Sequence, residues 1–93
     1  MSGYPWEIGA NEDFLDKVED IQATDGDLYE NIKGKIDKIK ENPLSGSPKT
    51  GVLKGSRTIH VEQHIIRWEV RPEVHQSQHR DQIEEVYFMA ITH

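Results

Sequence analysis

Ile59-His60-Val61-Glu62-Gln63-His64-Ile65-Ile66-Arg67-Trp68-Glu69-Val70 is the stretch whose reading decides the fold. Ile59 and Val61 alternate with Thr58, His60 and Glu62; Ile66, Trp68 and Val70 alternate with Ile65, Arg67, Glu69 and Arg71. Successive side chains on a strand point to opposite faces, so each run lays one apolar row on one side. Gln63-His64 falls between the runs, where a tight hairpin turn is expected. One face then sends Ile59, Val61, Ile66, Trp68 and Val70 into a core, and the other presents His60, Ile65, Arg67 and Arg71. That second face is either a binding surface or a solvated sheet face with ion pairs such as Arg67 with Glu62 or Glu69.

Upstream, the spacing changes from two to three and four. Tyr29, Ile32, Ile36 and Ile39 mark one face of a helix, with the lysines at 33, 35, 38 and 40 mostly off that stripe. Asn42-Pro43 ends it, because proline disfavours the α conformation in the residue before it. The lysines are read as a solvated face paired with Asp37 and Glu41. An earlier helix carries Phe14, Leu15, Val18 and Ile21, capped by Asn11 and with Glu12 and Asp13 in its first turn. Ala23-Thr24-Asp25-Gly26-Asp27 separates the two, with Asp25 or Asp27 as the second cap. Ahead of both, Tyr4, Trp6 and Ile8 alternate with Pro5, Glu7 and Gly9, as in a short strand buried on one side.

Residues 43–51 are a turn-rich connection, and Pro72 to Asp81 reads as a longer hairpin loop. Val86 to Ile91 is apolar on both faces, the pattern of a central strand. Tyr87 and Met89 are the residues on it that a partner segment would cover. The order is β-α-α-β-β-β. The expected class is α+β, one domain over residues 1–93, with an antiparallel sheet covered on one face by two helices.

Ninety-three residues suffice for one core. The absence of cysteine removes disulfides, a thiol nucleophile and thiolate metal sites. No apolar run approaches the roughly 20 residues that span a bilayer, and MSGYPWEIG lacks the regions of a signal peptide, so a cytoplasmic protein is expected. The net charge of −6 argues against non-specific coating of nucleic acid. Its distribution is uneven: residues 49–71 hold Lys49, Lys54, Arg57, Arg67 and Arg71 against Glu62 and Glu69, a cationic island in an acidic chain. Those five cations are the candidate nucleic-acid contacts.

The order of elements resembles that of the RelE/ParE toxin superfamily, and so do several segments. Ile36-Asp37-Lys38-Ile39-Lys40-Glu41-Asn42-Pro43 is similar to its helix end, and Leu53-Lys54-Gly55 to its leucine-lysine-glycine turn. Ile59-His60-Val61 and Ile66-Arg67-Trp68-Glu69-Val70 resemble its paired strands, and Ala90-Ile91-Thr92-His93 its last strand and following histidine. The resemblance implies a toxin silenced by an antitoxin protein, with active members cutting messenger RNA on the ribosome. In that reaction a 2′-hydroxyl attacks the adjacent phosphate, which needs proton transfer and cationic stabilisation but no metal or cofactor. The residues it implies are Lys54, Arg57 and Arg67 as cations, with His60 or His93 in proton transfer. Ile65 stands where the ribonuclease branch usually has arginine, and the match ends at His93, ahead of that branch's terminal arginine and tyrosine. The alternative is a non-catalytic relative that works by binding, either a ParE-type inhibitor of gyrase or a degenerate member.

Five histidines also raise a metal reading. His60 and His64, four apart on extended chain, would stand about 13 Å apart, too far to share an ion. His75 and His79 lack a carboxylate or thiolate partner, and no metal site is expected there.

Overall fold

The computed structural model describes residues 3–48, 55–73 and 81–93. Its elements run β1 (Glu7–Ala10), α1 (Glu12–Thr24), α2 (Gly26–Glu41), β2 (Ser47–Pro48), β3 (Ser56–Val61), β4 (His64–Arg71) and β5 (Glu85–Thr92). The sheet has five strands in the order β1-β5-β4-β3-β2, so β5 is an interior strand paired on both edges, next to the central β4.

The α+β class and the two helices on one sheet face stand, and the sheet is mixed rather than wholly antiparallel. β3, β4 and β5 pair antiparallel, whereas β1 lies parallel to β5. β1 also begins three residues later than the alternation at Tyr4 suggests. Asn11 fixes this junction: its backbone N–H donates to the Phe88 carbonyl at 3.1 Å and its side-chain amide to the Met89 carbonyl at 2.7 Å. The same side chain accepts from the Phe14 N–H at 2.8 Å and caps α1. A second small strand, β2, lies within the turn-rich connection and pairs with Arg57 and Thr58.

Asp25 alone separates the helices, accepting from the Leu28 N–H at 3.1 Å. Phe14, Ile21, Leu28, Ile32 and Ile39 are buried, and Phe14 stacks on Phe88 with ring centres 5.1 Å apart, joining α1 to β5. Leu15, expected on the buried stripe, is 54% exposed, because the narrow stripe of α1 is filled by Phe14, Val18 and Ile21.

The two tryptophans both hold the end of α2. Trp68 is 0% exposed and its indole N–H donates to the Pro43 carbonyl at 2.9 Å; that of Trp6 donates to the Lys40 carbonyl, also at 2.9 Å. The final turn of a helix leaves carbonyls without partners; the Trp6 indole supplies a donor to one of them, and the Trp68 indole holds the chain just past the cap. The chain then passes under Trp68 at Gly46. Its φ is +73°, and a Cβ there would collide with the Thr58 carbonyl and lie 2.9 Å from the Trp68 ring.

The hairpin turn is Glu62-Gln63, one residue earlier than expected, and Glu62 takes a positive φ of 55°. Asn31 of α2 donates to the Glu62 carboxylate at 2.7 Å, which ties that turn to the helix.

Candidate functional site on the open sheet face

Strand register sorts the side chains into two faces. Arg57 lies opposite Trp68, Ile59 opposite Ile66 and Val61 opposite His64, on the helix side. Ser56 with Glu69, Thr58 with Arg67 and His60 with Ile65 lie on the other. On β5 the register shifts at Arg67 and Trp68, which pair with Ala90 and Phe88 and leave Met89 as a bulge. The bulge lets Val86, Phe88 and Ile91 all reach the core, which strict alternation forbids, and turns Tyr87, Ala90 and Thr92 to the open face.

Arg67 sits near the centre of that face, flanked across the strands by Thr58 and Ala90. It is partly exposed and makes no ion pair among the described residues. The ion pairs with Glu62 or Glu69 that a merely solvated face would carry do not form, since Glu62 accepts from Asn31 and Glu69 is taken by Arg71. His60 is exposed and stands diagonally from Arg67, roughly 7–8 Å away by strand geometry. Ile65 lies directly across from His60, so the face carries an apolar residue where a second guanidinium would strengthen phosphate binding.

Two of the candidate cations are occupied elsewhere. Arg57 faces the helices and is 9% exposed; its guanidinium donates to the carbonyls of Leu44 at 2.7 Å and Ser45 at 2.9 Å. Burial lowers its pKa from the ordinary arginine value. It clamps the connection after α2, on the opposite side of the sheet from Arg67. Arg71 is on the open face but is held by Glu69 at 2.8 Å and Glu85 at 3.2 Å, with its guanidinium 4.4 Å from the centre of the Tyr87 ring. The hydrogen bond to Glu69 is the main cause that raises its pKa. Tyr87 is thereby covered from within the chain, and its ring packs against Gly9, where a Cβ would lie 2.9 Å away.

Lys49 and Lys54 lie outside the described residues, as do His75, His79 and Arg80. His93 does not join His60: it packs against His64, in the neighbouring row. The structure also brings Lys35 and Lys38 of α2 to a shallow groove shared with His60, Val61 and Glu62. Sequence reading left those lysines as a solvated helix face, because nothing local shows which strand edge a helix will lie beside. No described group of three or more His, Cys, Asp or Glu is placed to hold a metal ion, and no described helix is long and apolar enough to cross a membrane.

No protein-family model matches the sequence, and no curated protein does. Solved structures do match. The YoeB/ParE toxin from Agrobacterium tumefaciens superposes with a TM-score of 0.71 at 19% identity, over 92% of this chain and 95% of that one. The fold is that of the RelE/ParE-like toxins. A YoeB dimer from Staphylococcus aureus superposes with a TM-score of 0.68 at 14% identity, over 96% of this chain and 97% of its own. On the RelE/ParE-like fold, then, this chain presents Arg67 and His60 on the open face and keeps Arg57 and Arg71 in its own framework.

Proposed function

We propose that this chain is the toxin of a toxin–antitoxin pair, a RelE-like endoribonuclease that cuts messenger RNA on the ribosome in the cytoplasm and is silenced by an antitoxin protein. Support comes from the RelE/ParE-like fold and from the open face of its sheet. The observation that carries the reading is Arg67: a cation near the middle of an open sheet face, between small neighbours and without an internal ion pair among the described residues. In this reading its guanidinium neutralises the charge that builds on the phosphate, and His60 moves a proton to or from the reacting oxygens. Lys54 and Lys49 add positive charge from the segment leading into β3, and His93 is the second candidate for proton transfer.

A second reading is favoured by a specific observation. Arg57 and Arg71 are engaged within the chain, and Ile65 occupies the place beside His60. A face on which Arg67 is the cation left unengaged among the described residues suits a protein that acts by binding, as a gyrase inhibitor or as a protein-binding relative.

Induced expression with mapping of messenger RNA ends separates the two. Cleavage at codon boundaries is expected, and Arg67→Ala should reduce it about 10²–10³-fold, the usual loss for one transition-state donor. Growth arrest with intact messenger RNA would overturn the ribonuclease reading and direct attention to gyrase.

A further inference from the structure

β4 begins on His64 and β5 is followed by His93, and these two histidines meet each other rather than His60. Ile65 pairs with Thr92, so one step along the ladder brings His64 opposite His93. Their rings meet edge to face, with centres 4.9 Å apart and planes inclined at 63°. Nδ1 of His64 is buried and has no hydrogen-bond partner among the described residues. A buried ring nitrogen normally finds a donor, an acceptor or a metal.

We propose that His64 and His93 form a two-histidine site for a divalent transition-metal ion of the Zn²⁺, Ni²⁺ or Cu²⁺ type. Two imidazoles on one tetrahedral ion, each nitrogen about 2.1 Å from the metal, hold their ring centres about 5 Å apart. The observed 4.9 Å between ring centres matches that spacing. Neutral imidazole selects borderline ions of this kind, whereas Mg²⁺ and Ca²⁺ require oxygen ligands. The remaining positions belong to water, so binding is reversible and in the micromolar range. Neither the RNA reading nor the binding reading is needed for this site to exist.

The test uses untagged full-length protein titrated with ZnCl₂ at neutral pH. Histidine ring signals are followed by nuclear magnetic resonance, and heats by calorimetry. One equivalent should bind saturably, with the ring signals of His64 and His93 moving together. His93→Gln, at an exposed position, and His64→Gln should each weaken binding at least tenfold, while His60→Gln leaves it unchanged. Far-ultraviolet circular dichroism confirms that each variant is folded, and His93→Gln decides the matter if His64→Gln is not. Binding that survives His93→Gln, that follows His60, His75 or His79 instead, or that fails to saturate below millimolar zinc would overturn the proposal.

Discussion

Arg57 and Arg67 are the same residue type in one hairpin, and their surroundings give them different work. Arg57 donates to two backbone carbonyls after α2, while Arg67 spends no hydrogen bond on the described framework. Arg57→Met should therefore lower stability by about 2 kcal/mol, since hydrogen bonds from charged donors to buried acceptors are among the stronger ones. Arg67→Ala should stay within about 0.5 kcal/mol of the parent, as surface substitutions usually do. Urea unfolding of both variants checks this pair of expectations; equal losses would show that the two arginines are not divided between framework and face. The same division explains why the cationic island was only partly informative. Charge is visible residue by residue, but whether a guanidinium is free depends on carbonyls and carboxylates that the fold brings to it.

At the scale of elements, the junction of β1, α1 and β5 concentrates two functions in one side chain. Asn11 caps α1, and it also satisfies the Met89 carbonyl at the bulge of β5. Asn11→Ala should cost about 1–2 kcal/mol, the upper range for an N-cap, because the bulge loses its donor as well. For a domain of this size that corresponds to a fall in Tm of about 4–8 °C per kcal/mol, measurable by calorimetry. Asn11→Asp keeps the cap and loses the amide donor, so a smaller fall is expected there. The cap was legible in the sequence, since Asn followed by Glu and Asp is a local signal. The bulge was not: Val86, Phe88 and Ile91 break the period of two, and an apolar run gives no sign of where an extra residue enters.

For the whole molecule, α2 is held to the sheet and to the N-terminal segment by the two indoles. Tryptophan fluorescence therefore reports on the same helix that dominates the circular dichroism signal at 222 nm. The two probes should give coincident urea transitions, the mark of one cooperative unit. A fluorescence change that precedes the loss of ellipticity would mean that the sheet and N-terminal segment separate from α2 before it melts.

What the sequence determined by itself was the local structure: two helices from their spacing, their start and stop signals, the hairpin at Ile59 to Val70, and the core row Ile66, Trp68 and Val70. These follow from period, caps and proline, all of which act within a few residues. Tertiary structure alone decided the parallel placement of β1, the bulge at Met89, the retreat of Arg57 and Arg71 into the framework and the meeting of His64 with His93. Each of these depends on a contact between residues far apart in the chain, as with Asn11 and Met89 or Arg57 and Leu44. Such contacts form only when helices and sheet close on a common core, and no local pattern encodes them.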